Sequence, residues 1–276
     1  MKKITFFTIL IVLIILSWFI TSTFQSSVST QPNRQFPTNL HTKELSNNFF
    51  PKPLHITAIG DSLTKGVGDE TNQGGYLKYL QSDLLTLKSV KNVEIENFGV
   101  TGHRTIQLLD RMENETVKKS IQHADVVLIT IGGNDMMKIV KDNFLNLQLD
   151  VFEAEIDNYE KRLNTILKTV RKNNTDAKIV LIGLYNPFLE WFSDIEEFQT
   201  VIDEWNATSK SVLNRYKDAY FVDISDVFLH SEENLLYEDH FHPNNRGYEL
   251  IASKVFATFQ SHIEVGGMYV QKNNND

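Results

Sequence analysis

Leu54-His55-Ile56-Thr57-Ala58-Ile59-Gly60-Asp61-Ser62-Leu63 is an apolar run that closes on a glycine and then turns polar. The run reads as a strand, and Gly60 marks its exit. The same pattern recurs downstream. Val93–Asn97 is a second, weaker strand, Val126–Ile131 the clearest buried one, Lys178–Gly183 a fourth and Tyr220–Ile224 the last. Helical periodicity fills the intervals, around 75–88, 104–122, 151–173 and 194–216, and returns after Pro243 over roughly 244–260. Five strands separated by helices predict an α/β fold, a parallel sheet covered on both faces. The sequence has no internal repeat and no second domain boundary, so 54–262 reads as one folded domain with a tail, 263–276.

In such sheets ligands bind beyond the carboxyl ends of the strands. The polar and glycine-rich clusters fall there. Gly60-Asp61-Ser62 follows the first strand, Asn97-Phe98-Gly99-Val100-Thr101-Gly102 the second and Gly132-Gly133-Asn134-Asp135 the third. Asp239-His240-Phe241-His242-Pro243 lies between the last strand and the final helix. Each cluster alone has a bland explanation, a helix cap or a turn. Together, at equivalent strand ends, they predict one site on one rim of the sheet.

These blocks, in this order, resemble the SGNH hydrolases, also called GDSL-type lipases/esterases, over residues 54–262. The resemblance implies a three-layer α/β/α, flavodoxin-like, mostly parallel five-stranded sheet. It implies hydrolysis of carboxylic esters or thioesters with no metal or other cofactor. It assigns Ser62 as nucleophile, Asp239 and His242 as its partners, and Ser62, Gly102 and Asn134 as the oxyanion hole. After that glycine the family often carries an acidic residue, where this chain has His103.

The chemistry of the residues agrees. A serine hydroxyl needs a base to take its proton, and an imidazole suits that work near neutral pH. The base needs an acceptor on its other nitrogen. Asp239 and His242 are three apart, which a helical turn would place on one side, and Pro243 suits the start of the final helix. The N–H groups of Ser62 and Gly102 and the Asn134 amide offer fixed donors for an oxyanion.

Several rivals compete for the same residues. Asp239, His240 and His242 could ligate a metal, but that set needs a further ligand and leaves the other clusters unexplained. Gly66, Gly68, Gly74 and Gly75 lack the following Gly-Lys-Ser/Thr of a phosphate loop and read as a mobile loop over the site. No Gly-x-Ser-x-Gly surrounds Ser62, which disfavours the larger α/β-hydrolase family. His103 and His123 read as surface or core histidines. A catalytically silent ligand-binding protein of the same fold is the rival from outside enzymology; every catalytic position being filled argues against it.

Composition bounds the partners. A net charge of -8 over 276 residues gives no basic face for nucleic acid. The lack of cysteine removes disulfides, thiolate metal sites and a cysteine nucleophile. Nothing in the sequence sets an oligomeric state. Lys2 and Lys3 precede an apolar run from Ile4 to Ile20. At helical rise such a run spans roughly 25 Å, near the lower limit for a bilayer. The positive flank belongs inside, which predicts an extracytoplasmic domain. Residues 1–22 read as a membrane anchor or as a cleaved signal peptide; Ser27-Val28-Ser29 is a weak cleavage site. Residues 23–53, rich in Ser, Thr, Asn, Gln and Pro, read as a flexible linker.

Two apolar tracts sit near the expected rim: Tyr185, Phe188, Leu189, Trp191 and Phe192, and Met136, Met137, Ile139, Val140, Phe144 and Leu145. They read either as a groove for the acyl part of a small-molecule or lipid ester, or as helix faces packed on the sheet.

Overall fold

The computed structural model describes residues 50–143, 149–188, 196–229 and 231–263. Five strands, β1 (Lys52–Gly60), β2 (Val90–Gly99), β3 (Val126–Thr130), β4 (Lys178–Ile182) and β5 (Ala219–Val222), form one sheet in the order β2-β1-β3-β4-β5. Every pairing is parallel, so the expected mostly parallel sheet is wholly parallel. The helices are α1 (Ser62–Lys65), α2 (Tyr76–Leu84), α3 (Thr105–Met112), α4 (Glu115–His123), α5 (Gly133–Asp142), α6 (Leu149–Asn173), α7 (Glu196–Leu213), α8 (Ser225–Leu229) and α9 (Asn245–His262).

Alternation along the strands builds the layers. Ile59, Val127, Ile129, Ile179 and Leu181 join one apolar cluster with α3, α4, α6 and α7. Their neighbours Ile56, Ala58, Val126, Leu128, Val180 and Ile182 join another with α2 and α9. Successive side chains point to opposite faces, so both faces are buried and the strands read as continuous apolar runs. Each fully buried Leu or Ile contributes about 1.5–3 kcal/mol relative to exposure.

Element boundaries differ from expectation where local capping decides. The helix expected over 104–122 is two, because Asn114 accepts from the Thr116 N–H at 2.9 Å and starts α4 afresh. β1 begins at Lys52, two residues before the expected strand start, so Lys52 and Pro53 leave the linker and join the sheet. The final helix begins at Asn245, after an Asn244 cap whose side chain accepts from the Gly247 N–H at 3.0 Å. Pro243 does not open it; it pairs with Leu236 in an isolated antiparallel bridge. The apolar run Ile4–Ile20, the linker to residue 49, Phe144, Leu145, Leu189, Trp191, Phe192 and the tail from 264 lie outside the described residues. Among the described residues no helix is long and apolar enough to cross a membrane.

Candidate active site

β1 hands the chain to α1 through Gly60 and Asp61. Gly60 has φ +147°, and a Cβ there would stand 2.2 Å from the Thr130 carbonyl of the adjacent strand, so only glycine fits. Asp61 caps α1 by accepting from the Leu63 N–H at 3.0 Å, and Thr130 Oγ1 donates to the same carboxylate oxygen at 2.8 Å. This fixes Ser62, buried at 5% exposure, as the first residue of α1 at the carboxyl edge of the sheet.

Burial pushes the Asp61 carboxyl up to about 6, only partly offset by the bonds from Thr130 and Leu63. The folded value thus lies above the unfolded one near 3.8, so ionisation costs stability as pH rises between those values. Asp61→Asn keeps the acceptor and removes the charge. It is expected to gain about 2.5 kcal/mol on the wild type between pH 4 and pH 7.5, read from urea unfolding at both pH values. A difference between the two proteins that does not change with pH would refute this.

Ser62 Oγ lies 2.8 Å from His242 Nε2, and His242 Nδ1 lies 2.6 Å from Asp239 Oδ2. The other Asp239 oxygen accepts the N–H groups of Phe241 at 3.0 Å and His242 at 2.9 Å. The two residues therefore face each other through an Asx turn, and not through the helical turn their spacing suggested. Burial acts to raise the Asp239 carboxyl, but the bonds from His242 and Phe241 outweigh it and hold it below its ordinary value. Both ring nitrogens of His242 are thus engaged within the protein. Tyr185 donates its hydroxyl to the Phe241 carbonyl at 2.5 Å and braces this turn from the loop after β4.

Gly102 follows the end of β2 and Asn134 the end of β3, the two strands that pair with β1 on either side. Gly102 has φ +79° with open space where a Cβ would stand, so the backbone, and not crowding, requires glycine. The N–H groups of Ser62 and Gly102 have no hydrogen-bond partner among the described residues. Asn134 shares a cleft with Ser62 and His242, and its Nδ2 donates to the His103 carbonyl at 3.1 Å. His103 thus serves through its backbone. Its ring is held below its ordinary pKa by burial and by Arg111, and Nδ1 has no hydrogen-bond partner.

Sequence reasoning missed the brace behind these two loops. Asp135, next to Asn134, accepts the Thr105 N–H at 2.9 Å and the Thr105 hydroxyl at 2.6 Å. Arg162 of α6 donates Nε to Thr105 Oγ1 at 2.6 Å, and Nη2 to Glu155 at 2.6 Å and to Asp135 at 3.3 Å. Burial pushes the Asp135 carboxyl above its ordinary value, partly offset by Thr105 and Arg162. The only sequence signal was an acidic residue in the first turn after Gly132-Gly133.

The 66–75 loop, expected to be mobile, is pinned. Asp69 accepts from the N–H groups of Thr71, Gln73 and Gly75 at 2.9–3.0 Å, and from Lys78 at 3.2 Å. Met136, Tyr185 and Pro187 line the cleft beside Ser62, while Met137, Ile139 and Val140 pack into the core, so the Met136 tract divides between its two readings.

A parallel sheet carrying a hydrogen-bonded serine, histidine and aspartate at its carboxyl edge is an arrangement shared by several kinds of serine hydrolase. The chain belongs to the GDSL-like Lipase/Acylhydrolase family, whose profile matches residues 58–250. It is 36% identical over 256 residues to the Uncharacterized protein YpmR of Bacillus subtilis, covering 92% of this chain and 95% of that one. It is 28% identical to the Spore germination lipase LipC of Bacillus licheniformis, over 76% of this chain and 99% of the relative. Among solved structures, the lipase Lip_vut3 from a goat rumen metagenome superposes with a TM-score of 0.67 at 28% identity, covering 74% of this chain and 96% of that one.

Proposed function

We propose that the chain hydrolyses carboxylic esters through an acyl-enzyme on Ser62. The observation that carries this is the continuous row from Ser62 Oγ through His242 to Asp239, with contacts of 2.8 and 2.6 Å. Ser62 Oγ attacks the ester carbonyl carbon while its proton passes to His242 Nε2. Asp239 stabilises the imidazolium that results. The carbonyl oxygen, now negative, takes the N–H groups of Ser62 and Gly102 and the Asn134 amide. The carbon–oxygen bond to the alcohol breaks, and His242 returns the proton to that oxygen. Water then repeats the sequence against the acyl-enzyme and releases the acid.

The membership in a family of lipases and acylhydrolases supports this reading. A fluorophosphonate probe is expected to label the purified protein and to leave Ser62→Ala unlabelled. Equal labelling of the variant would remove Ser62 as nucleophile, and no labelling of either would favour the silent ligand-binding protein.

The site is further proposed to work outside the cytoplasmic membrane, on the strength of Lys2, Lys3 and the apolar run Ile4–Ile20. Protease added to intact cells is then expected to degrade the domain; survival would place it inside.

A further inference from the structure

The helix that carries Ser62 is a single turn. α1 runs only from Ser62 to Lys65. Its backbone bonds, from the Lys65 N–H to the Asp61 carbonyl and from the Gly66 N–H to the Ser62 carbonyl, close that turn and no more. So short a helix does not hold itself in place. What places the serine must reach it from the neighbouring strands.

Most of that reach comes from one hydroxyl, on Thr130 at the end of β3. Its Oγ1 donates to Asp61 Oδ1 at 2.8 Å, accepts the Thr64 N–H at 3.2 Å and lies 2.8 Å from Thr64 Oγ1. The Asp61 N–H is shared between this hydroxyl at 3.4 Å and the Thr130 carbonyl at 3.1 Å. One side chain thus grips the residue before Ser62 and the second residue after it. From the other side Asn97 of β2 donates to the Thr64 carbonyl at 2.8 Å. Thr64 is therefore held by its N–H from β3 and by its carbonyl from β2.

The protons of the cluster point one way. Each hydroxyl carries one. Thr130 gives its own to the Asp61 carboxylate, so at 2.8 Å Thr64 donates to Thr130. The Tyr76 hydroxyl, 3.3 Å from Thr64 Oγ1, donates in turn to Thr64. All four side chains are buried, where such chains polarise one another. A valine at 130 would cut the chain in its middle. It would leave the Asp61 carboxylate without a hydroxyl donor and the Thr64 N–H without an acceptor among the described residues. Thr130 also stands four residues before Asn134 on the same stretch of chain, so the nucleophile turn is tied to the strand that delivers that donor.

We propose that the Thr130 hydroxyl is a positioning group for hydrolysis at Ser62, holding the nucleophile and its N–H in register with the Asn134 amide. The inference rests on the Ser62 hydrolase reading. Thr130 acts through α1 and touches none of the reacting atoms. Its loss therefore falls on the attack by Ser62 and not on the binding of substrate.

Thr130→Val keeps the shape and removes the hydroxyl. On p-nitrophenyl acetate its kcat is expected to fall by about 10–100-fold with KM little changed, because a misplacement of about an ångström costs on the order of 10²-fold. Thr130→Ser restores the hydroxyl and is expected to stay within about threefold of the wild type. Thr57→Val is the matched control. Thr57 lies on β1 three residues before Gly60, is as deeply buried, and its hydroxyl meets only Ser120, at 2.6 Å, among the described residues. Its loss is expected to lower stability and leave kcat in place. Fluorophosphonate gives a second readout: each variant is expected to label to completion, Thr130→Val at a rate lowered in step with kcat. Should Thr130→Val not fold, Thr130→Ala and Thr130→Ser differ by the hydroxyl alone and carry the same comparison. Wild-type kcat in Thr130→Val, an equal loss in Thr130→Ser or in Thr57→Val, or incomplete labelling at an unchanged rate overturns the positioning role. A wild-type protein that cleaves no ester and takes no label overturns the hydrolase reading beneath it.

Discussion

Ser62→Ala is expected to lower kcat for p-nitrophenyl acetate by on the order of 10^5-fold, and adding His242→Ala to cost almost nothing more. The reason lies in the 2.8 Å contact between Ser62 Oγ and His242 Nε2. A serine without its base is a weak nucleophile, and a base without its serine has no proton to take. Residues that act as a unit are lost as a unit, so the two single variants and the double variant should cluster at one rate. Asp239→Asn should retain more activity, because that carboxylate orients the imidazole and does not touch the reacting atoms. Steady-state kinetics on the four variants decides the matter. Losses that multiply across Ser62 and His242 would show two independent contributions and would break the proposed row.

Much of this site could be read before any coordinates because its signals are local. The blocks Gly60-Asp61-Ser62, Gly132-Gly133-Asn134 and Asp239–His242 each sit within a few residues of a strand end or helix start, where backbone geometry demands special residue types. The strands were legible for a related reason: Val126–Thr130 is buried on both faces, so all five residues are restricted in type. What stayed hidden depends on partners far along the chain or on caps that compete with propensity. The break between α3 and α4 hangs on one Asn114 side chain. The facing of Asp239 and His242 was anticipated, but its cause was not, because an Asx turn and a helical turn both bring residues three apart together. The Asp135–Arg162 contact joins residues 27 positions apart, and no periodicity marks it. Gly68 looked like freedom for a moving loop, whereas it lets that loop pack against the Pro243 carbonyl, 2.4 Å from where a Cβ would stand.

Asn134→Ala is expected to lower kcat by about 10²–10³-fold with little change in KM, the mark of a donor used in the transition state and not in the ground state. Asp135→Asn is expected to reach about 10²-fold in the same parameter without touching substrate, because donors displaced by an ångström lose comparable catalysis. Asp135 is in this account a positioning residue. Its carboxylate takes both the N–H and the hydroxyl of Thr105, three residues after Gly102, while the neighbouring Asn134 holds the His103 carbonyl at 3.1 Å. Two adjacent residues of α5 are thus tied to His103 and Thr105, which follow the proposed donor Gly102. An asparagine in that place must present an NH₂ where an acceptor is needed, facing either the Thr105 hydroxyl or its N–H. A double-mutant cycle separates this from general loosening. If Asp135 acts through the Asn134 donor, its loss in the Asn134→Ala background should shrink well below 10²-fold. If it only holds the fold together, the two losses multiply, KM rises with them, and unfolding free energy falls in proportion. Thr105→Val removes the hydroxyl half of the brace and leaves the N–H, so it is expected to fall between wild type and Asp135→Asn in kcat.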